Sequence, residues 1–216
     1  MIVIVQARTG STRLPGKVLR DLCGRPMIDY MVETLAATGL PTIYAIPEKD
    51  RAILGEHIAS LSAHNAAVLA WDGDEDDVAG RFDACLRHAS ATDTFIRLCA
   101  DSPLLTPDVV MSVISITRPG GGPYALMKSP VGCAELCDVE TWRQGLSAAT
   151  REQREHVTGW LHHGFGAMKL EVVGYGERFV VDTEEDFNRV ERVVSRLTKP
   201  VHEHAWHEIC RAGLSV

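Results

Sequence analysis

An α/β fold with a mostly parallel sheet and helices on both faces is predicted by three observations. Short apolar runs alternate with stretches of helical periodicity from Ile2 to Ala100, the βαβα order that builds parallel sheets. The first run passes straight into a glycine-bearing loop, and ligands of such sheets collect at the carboxyl ends of the strands. The 216 residues, 45% of them hydrophobic, suffice for a substantial core. No internal repeat or low-complexity linker divides them, so 1–216 is read as a single domain.

In chain order, Ile2 to Val5 is a buried strand. Pro26-Met27 opens a helix in which Met27, Met31, Val32 and Leu35 recur at helical spacing, and Gly39 ends it. Thr42 to Ile46 is the next strand. The spacing of Ile53, Leu54, His57, Ile58 and Leu61 then predicts one helix over about 50–61 with those residues on one face. Val68 to Ala70 reads as a short strand, Asp76 to His88 as a helix and Thr94 to Ala100 as a strand. Thr106-Pro107 supplies a cap and a first-turn proline for another helix. Beyond Asp108 the pattern is less regular: GGGP at 120–123 is a loop and Glu140 to Ala149 a helix. The helix after Asp182 has Phe187, Val190, Val194 and Leu197 on its inner face, and Val201, Ala205 and Ile209 suit a terminal helix that docks on the core or on a second copy in a homodimer.

Composition narrows the function classes. No run of about 18 apolar residues is present, so no membrane partner is indicated. MIVIV has no basic leader and reads as a first strand, not a secretion signal, which makes the cytoplasm the expected location. The six cysteines form no C-x-x-C pair and are expected to be buried or partly buried thiols; Cys133 and Cys137 would share a face if that stretch were helical. A net charge of −7 argues against nucleic acid as partner. Within that acidic chain Arg8, Arg13, Lys17, Arg20 and Arg25 crowd one short stretch with only Asp21 against them, a pattern suited to a small, highly charged anion. For Arg20 and Arg25 the alternative is simple solvation.

The loop 7–17, ARTGSTRLPGK, has the composition of a polyphosphate grip: small residues let the amides of Ala7, Arg8, Thr9, Gly10, Ser11 and Thr12 approach phosphate oxygens, while three cations neutralise charge. It is not a G-x-x-x-x-G-K-[ST] loop, because Ser11 stands where the first glycine belongs and Val18 replaces the hydroxyl that binds Mg²⁺. Pro15 also removes a backbone donor. G-x-G-x-x-G is absent too, so a dinucleotide fold signature fails.

Two aspartates fall at other expected strand ends. Asp101 follows the strand at 95–100 and opens D-S-P-L; Asp182 follows the apolar FVV at 179–181 and precedes Thr183-Glu184-Glu185-Asp186, a variant capping box. Locally, Asp101 also reads as a turn residue and Asp182 as a helix cap. The C-terminal His202, His204 and His207 lack a cysteine to complete a zinc set, and Glu203 or Glu208 are simpler partners for them.

ARTGSTRLPGK, continued by Leu22, Gly24 and Pro26-Met27, resembles the N-terminal signature of the cytidylyltransferases that make CMP-activated sugar acids, in particular the branch of spore-coat polysaccharide and CMP-KDO-synthetase-like enzymes. DEDDVAGRF from Asp74, RLCADSPLLTPD from Arg97, REHVTGWL from Arg154 and VVDTEEDFNRV from Val180 occur in the family's order, so the resemblance covers most of the chain. It implies a three-layer, Rossmann-like nucleotidyltransferase (GT-A-like) fold and transfer of CMP from CTP to an acceptor with release of pyrophosphate. It also implies Mg²⁺ held by Asp101 and Asp182, which suits an ion that takes one or two carboxylates plus substrate phosphate. Lys17, Arg8 and Arg13 would act on the triphosphate. Nucleotide contacts would come from Ala7, Arg8, Gly10, Ser11, Arg13 and Lys17, with Asp76 and Arg81 near the base; Asp76-Asp77 also reads as acidic residues at a helix N-terminus. The choice of CTP over other nucleotides rests on the resemblance.

The acceptor is less legible. Relatives that load eight- or nine-carbon keto-sugar acids have a longer middle section, whereas only 33 residues separate Asp101 from Glu135 here. The compact insert, with Lys128, Glu135, Arg154 and His156 as candidate liners, points to a smaller anionic acceptor such as a phosphonate or a short acid, with a sugar acid as the close alternative. Glu135 lies in a local pattern that departs from that branch. A molybdopterin nucleotidyltransferase would carry an L-A-G-G-x-S-x-R-M-G loop, which Thr9 to Pro15 does not fit. A non-catalytic nucleotide-binding module, or use of another nucleotide or of a sugar phosphate, remains as the other class.

Overall fold

The computed structural model describes residues 1–62, 65–90, 92–116, 124–157, 168–171 and 178–214. Among them lie strands β1 (Ile2–Gln6), β2 (Thr42–Pro47), β3 (Ala66–Trp71), β4 (Thr94–Cys99), β5 (Tyr124–Ser129), β6 (Gly132–Asp138) and β7 (Met168–Glu171). They form one sheet in the order β3-β2-β1-β4-β6-β5-β7. β3, β2, β1 and β4 run parallel; β6 is antiparallel to both β4 and β5, and β7 is parallel to β5. The mostly parallel sheet expected from the βα alternation is therefore present, with β6 as the one reversed strand among those described.

The described helices are α1 (Met27–Thr38), α2 (Glu56–Leu61), α3 (Val78–Cys85), α4 (Pro107–Ile116), α5 (Val139–Ala148), α6 (Arg151–His156), α7 (Glu184–Val194) and α8 (Trp206–Leu214). Alternation along the strands divides the core in two. Val3, Val5, Ile96 and Leu98 join α1, α4, α7 and α8 on one face; Ile4 and Phe95 join Phe82 of α3 and Trp142 of α5 on the other. There Phe95 and Trp142 meet edge to face at 5.4 Å between centroids. None of the described helices is long and apolar enough to cross a membrane.

α1 begins and ends as its sequence dictates, with Gly39 taking φ 70°. The helix expected over 50–61 does not form as one piece. Glu48–Asp50 is a tight turn, Arg51–Gly55 is a widened five-residue turn, and only α2 is regular. A widened turn shifts the angular phase of the helix, so side chains on its two sides no longer share a face. Leu54 and Ile58 therefore stay buried while Ile53 is 67% and Leu61 45% exposed, so the expected single apolar face is split. α3 is shorter than expected because Asp77 caps it, accepting from the Gly80 amide at 2.9 Å, which leaves Asp76 outside the helix.

Between 124 and 138 the chain forms the β5–β6 hairpin, so Cys133 and Cys137 lie on a strand, not a helix. Gly132 turns it at φ 147°, and a side chain there would meet Ser102 and Leu105 at 2.9–3.1 Å. All six cysteines are free thiols; Cys23 is exposed, unlike the buried or partly buried state expected of it. Residues 120–123 lie outside the described residues, as does the end of the REHVTGWL stretch.

α7 carries the expected capping box, with Phe187, Val190 and Val193 buried. The Asp186 carboxylate also accepts from the Asp182 and Thr183 amides at 3.1 and 2.9 Å and from the Thr183 hydroxyl at 2.8 Å. Although burial pushes the other way, these bonds hold its pKa below the usual value. Thr183→Ala is expected to destabilise the fold by about 1 kcal/mol, read as a lowered midpoint in urea unfolding.

Candidate active site

The loop after β1, the turn after β4 and the turn before α7 meet at the carboxyl end of the sheet. One backbone bond joins the last two: the Val181 amide donates to the Asp101 carbonyl at 2.8 Å, setting Asp101 and Asp182 beside each other. The β1 loop is pinned from beneath by buried Asp50, which accepts from the Thr9 amide at 2.8 Å and the Thr9 hydroxyl at 2.6 Å. The Ser11 and Gly16 amides both fold back on the Thr9 carbonyl at 2.9 Å, and the Ala7 amide reaches the Ala45 carbonyl at 3.3 Å. Of the amides expected to face phosphate, those of Ala7, Thr9 and Ser11 are thus engaged within the protein.

Lys17 is the hub. Only 12% of its side chain is exposed, and Nζ donates to the Val181 carbonyl at 2.5 Å, lies 3.3 Å from Asp182 Oδ1 and 3.9 Å from Asp101 Oδ2. Arg13 reaches the same Asp182 oxygen at 3.0 Å while remaining 64% exposed. Burial raises the Asp101 carboxyl above its ordinary value; the ammonium of Lys17 works against that shift and the charge of Asp182 adds to it. The site is an all-oxygen carboxylate pair sharing one cation, which fits a hard divalent ion that would bring phosphate oxygens as its other ligands. Among the described residues no group of three or more metal-binding side chains occurs, so the pair would need such added ligands.

A cleft of about 400 Å³ opens over this hub. Ala7, Arg8, Ser11, Arg13, Lys17, Asp101, Asp182 and His156 line it, together with Gln6, Arg97, Cys99 and Glu155, which the sequence pattern does not single out. Arg8 points from the loop to Asp76 at 3.3 Å and Glu75 at 3.8 Å. Gly10 lies outside the lining but is tightly approached, since a Cβ there would meet Glu75 Oε1 at 2.2 Å. Arg81 is fully buried on α3, and its three guanidinium nitrogens have no hydrogen-bond partner among the described residues. Burial, then the nearby charge of Arg8, pushes its pKa down to about 10.

Of the other expected residues, Arg154 is fixed to Asp77 by two bonds of 2.9 and 2.6 Å beside a neighbouring hollow that Asp74, Asp76 and Arg151 also line. Lys128 pairs with Glu171 at 2.6 Å, and Glu135 pairs with Arg97 at 2.7 Å. Lys128, Glu135 and Arg154 are not part of the main cleft lining, and neither are Asp76, which lines the neighbouring hollow, and Arg81, whose burial on α3 removes it from the nucleotide contacts expected of it. Arg20 and Arg25 are not merely solvated: Arg20 pairs with Glu184 over the Phe187 ring, and Arg25 pairs with Glu33 over the Tyr30 ring. His204 meets Glu208 at 3.3 Å.

Several known proteins are similar to this chain. The spore coat polysaccharide biosynthesis protein SpsF of Bacillus subtilis (strain 168) is 27% identical over 215 residues, covering 91% of this chain and 87% of that protein. The 3-deoxy-manno-octulosonate cytidylyltransferase of Aeromonas salmonicida (strain A449) is 29% identical over 139 residues, 62% of this chain and 52% of that enzyme, so the chain spans about half its length. A solved cytidylyltransferase from Leptospira borgpetersenii serovar Hardjo-bovis (strain JB197) superposes with a TM-score of 0.85 at 19% identity, covering 99% of this chain and 94% of the other; the two share the nucleotidyltransferase fold. Residues 2–203 match the family described as cytidylyltransferase. With nearly the whole chain matched, this protein belongs to the cytidylyltransferase family.

Proposed function

We propose that this chain transfers CMP from CTP to a small anionic acceptor, a phosphonate or a sugar acid, and releases pyrophosphate as a Mg²⁺-dependent cytoplasmic enzyme. The observation that carries the reading is Lys17 Nζ held between Asp101 and Asp182 at the foot of a cationic loop. An acceptor oxygen attacks the α-phosphorus in line; the bond from that phosphorus to the bridging oxygen breaks and its electrons leave with pyrophosphate. Lys17 and Arg13 hold the charge that gathers on the leaving group, and Arg8 turns from Asp76 to the phosphates. Asp101 and Asp182 would hold Mg²⁺, which when bound screens phosphate charge and polarises phosphoryl oxygen. A hydroxyl acceptor must lose a proton, whereas a phosphonate is already anionic near neutral pH. His156, which lines the cleft, would take that proton.

Pyrophosphate release with Mg²⁺ and each nucleoside triphosphate, over a panel of sugar acids and phosphonates, tests the reading. CTP with an anionic acceptor is the expected productive pair; nucleotide binding without turnover across the panel moves the chain to the regulatory class. A narrower expectation concerns Asp50. Asp50→Ala releases the Thr9 amide and hydroxyl, and losing two charge-assisted bonds at about 1.5 kcal/mol each raises KM for CTP by up to roughly 10²-fold. Kinetics with CTP as the varied substrate checks this, with kcat expected to change less than KM.

A further inference from the structure

The sheet face that carries Ile4 and Phe95 changes character along its length. At the amino end of β4 it is wholly apolar, with Phe95 packed on Phe82 and Trp142. Two residues further, Arg97 stands in register with Ile4 of β1 on one side and Glu135 of β6 on the other. It is the only charged side chain in TFIRLC, and it lines the floor of the cleft with Cys99.

Its donors are incompletely used. Among the described residues, Nη1 is held by Glu135 at 2.7 Å, Nη2 has only the Cys99 sulfur at 3.2 Å, and Nε has no hydrogen-bond partner. A thiol is a weak acceptor for a guanidinium donor. Taking a guanidinium from water to be satisfied by sulfur leaves a substantial desolvation cost unrecovered. Only 15% of the Arg97 side chain is exposed, and that part faces the cleft. Because the residue sits on a strand and is clamped by Glu135, it offers a rigid cation set apart from the arginines of the phosphate loop.

We propose that Arg97 receives a carboxylate or phosphonate group of the acceptor at the floor of the cleft, displacing the Cys99 sulfur from Nη2, with Glu135 serving to position Arg97 and not to touch the acceptor. This rests on the proposed CMP transfer and gives the acceptor a specific anchor. A flat carboxylate or tetrahedral phosphonate oxygen pair meets the open edge of the guanidinium with short, charge-assisted bonds. Lys17, Arg13 and Arg8 are left to the triphosphate.

The test uses the full chain saturated with Mg²⁺ and the unreactive α,β-methylene analogue of CTP, into which pyruvate or methylphosphonate is titrated in a calorimeter. Arg97→Met is expected to weaken anion binding by about 10- to 100-fold, the loss of one or two charge-assisted bonds, with the affinity for the CTP analogue unchanged. Which of the two anions binds wild type more tightly distinguishes an acid from a phosphonate acceptor. Equal anion binding by wild type and Arg97→Met overturns the proposal, as does failure of wild type to bind either anion. Equal weakening of analogue and anion overturns it as well, by placing Arg97 in the nucleotide site. If wild type does not bind the analogue, CMP transfer itself fails, and the same comparison on nucleotide-free protein still decides Arg97. Should Arg97→Met misfold because Glu135 is left buried and unpaired, the double variant R97M/E135M removes both charges and carries the measurement.

Discussion

Replacing Asp101 by asparagine is expected to lower turnover by about 10²-fold or more while leaving the metal-free protein at least as heat-stable as wild type. The two halves of that result have one cause. Asp101 is tied into the fold by its backbone, through the Val181 amide, and its carboxylate is held at the end of β4 where burial disfavours the charged form. Lys17 at 3.9 Å offsets this only in part, and the charge of Asp182 aggravates it. A carboxyl whose pKa is raised on folding works against stability as pH climbs through the interval above its unfolded value, so removing the charge does not destabilise the ligand-free state at neutral pH. The same charge is what a divalent ion carrying phosphates requires. Turnover measured from limiting to saturating Mg²⁺, together with a melting curve in chelator, checks both halves. Wild-type turnover of the asparagine variant at limiting Mg²⁺ would falsify the metal assignment. A large fall in Tm would instead make Asp101 a structural turn residue.

The parts of this molecule that were legible in its sequence are those where one physical cause acts locally. β1, α1 and β2 arise from apolar spacing and a single helix-ending glycine, and the cationic loop declares itself by charge density in an acidic chain. The β5–β6 hairpin was not legible because Ala125, Leu126 and Met127, like Ala134, Leu136 and Cys137, are buried on both faces and show no alternation. The split of the helix expected over 50–61 depends on a widened turn that apolar spacing does not report. At the site, sequence placed Lys17, Asp101 and Asp182 in separate turns, but the bond that brings the two acidic turns together joins residues 80 positions apart in the chain. Glu135 and Arg154 looked like acceptor ligands when only their charges were visible; in the fold their charges are taken up by Arg97 and Asp77. Arg97 did leave a signal, a lone charge inside an otherwise uncharged strand, and the capping box Thr150-x-x-Gln153 marked α6 equally plainly.

Lys17→Ala should reduce kcat/KM by about 10²-fold or more, and its response to magnesium should reveal why. In the ligand-free protein the ammonium of Lys17 occupies the reach of both carboxylates and also donates to the Val181 carbonyl. Removing it leaves two neighbouring negative charges and a carbonyl without their donor, so the variant melts below wild type in chelator. A divalent ion entering between Asp101 and Asp182 then meets no competing cation, and relieves a repulsion that Lys17 partly offsets in wild type. Saturating Mg²⁺ is therefore expected to raise the Tm of Lys17→Ala more than that of wild type, since stabilisation by a ligand grows with its affinity for the folded state. Lys17→Arg is expected to restore part of the chelator Tm but little of the activity, because a planar fork cannot place a single compact charge at the Val181 carbonyl and both carboxylates at once. Differential scanning fluorimetry over a magnesium series, run beside steady-state kinetics, separates these outcomes. An equal magnesium shift in Lys17→Ala and wild type means that the ion and the ammonium do not share these carboxylates, and the catalytic loss must then come from the phosphate contact of Lys17 alone.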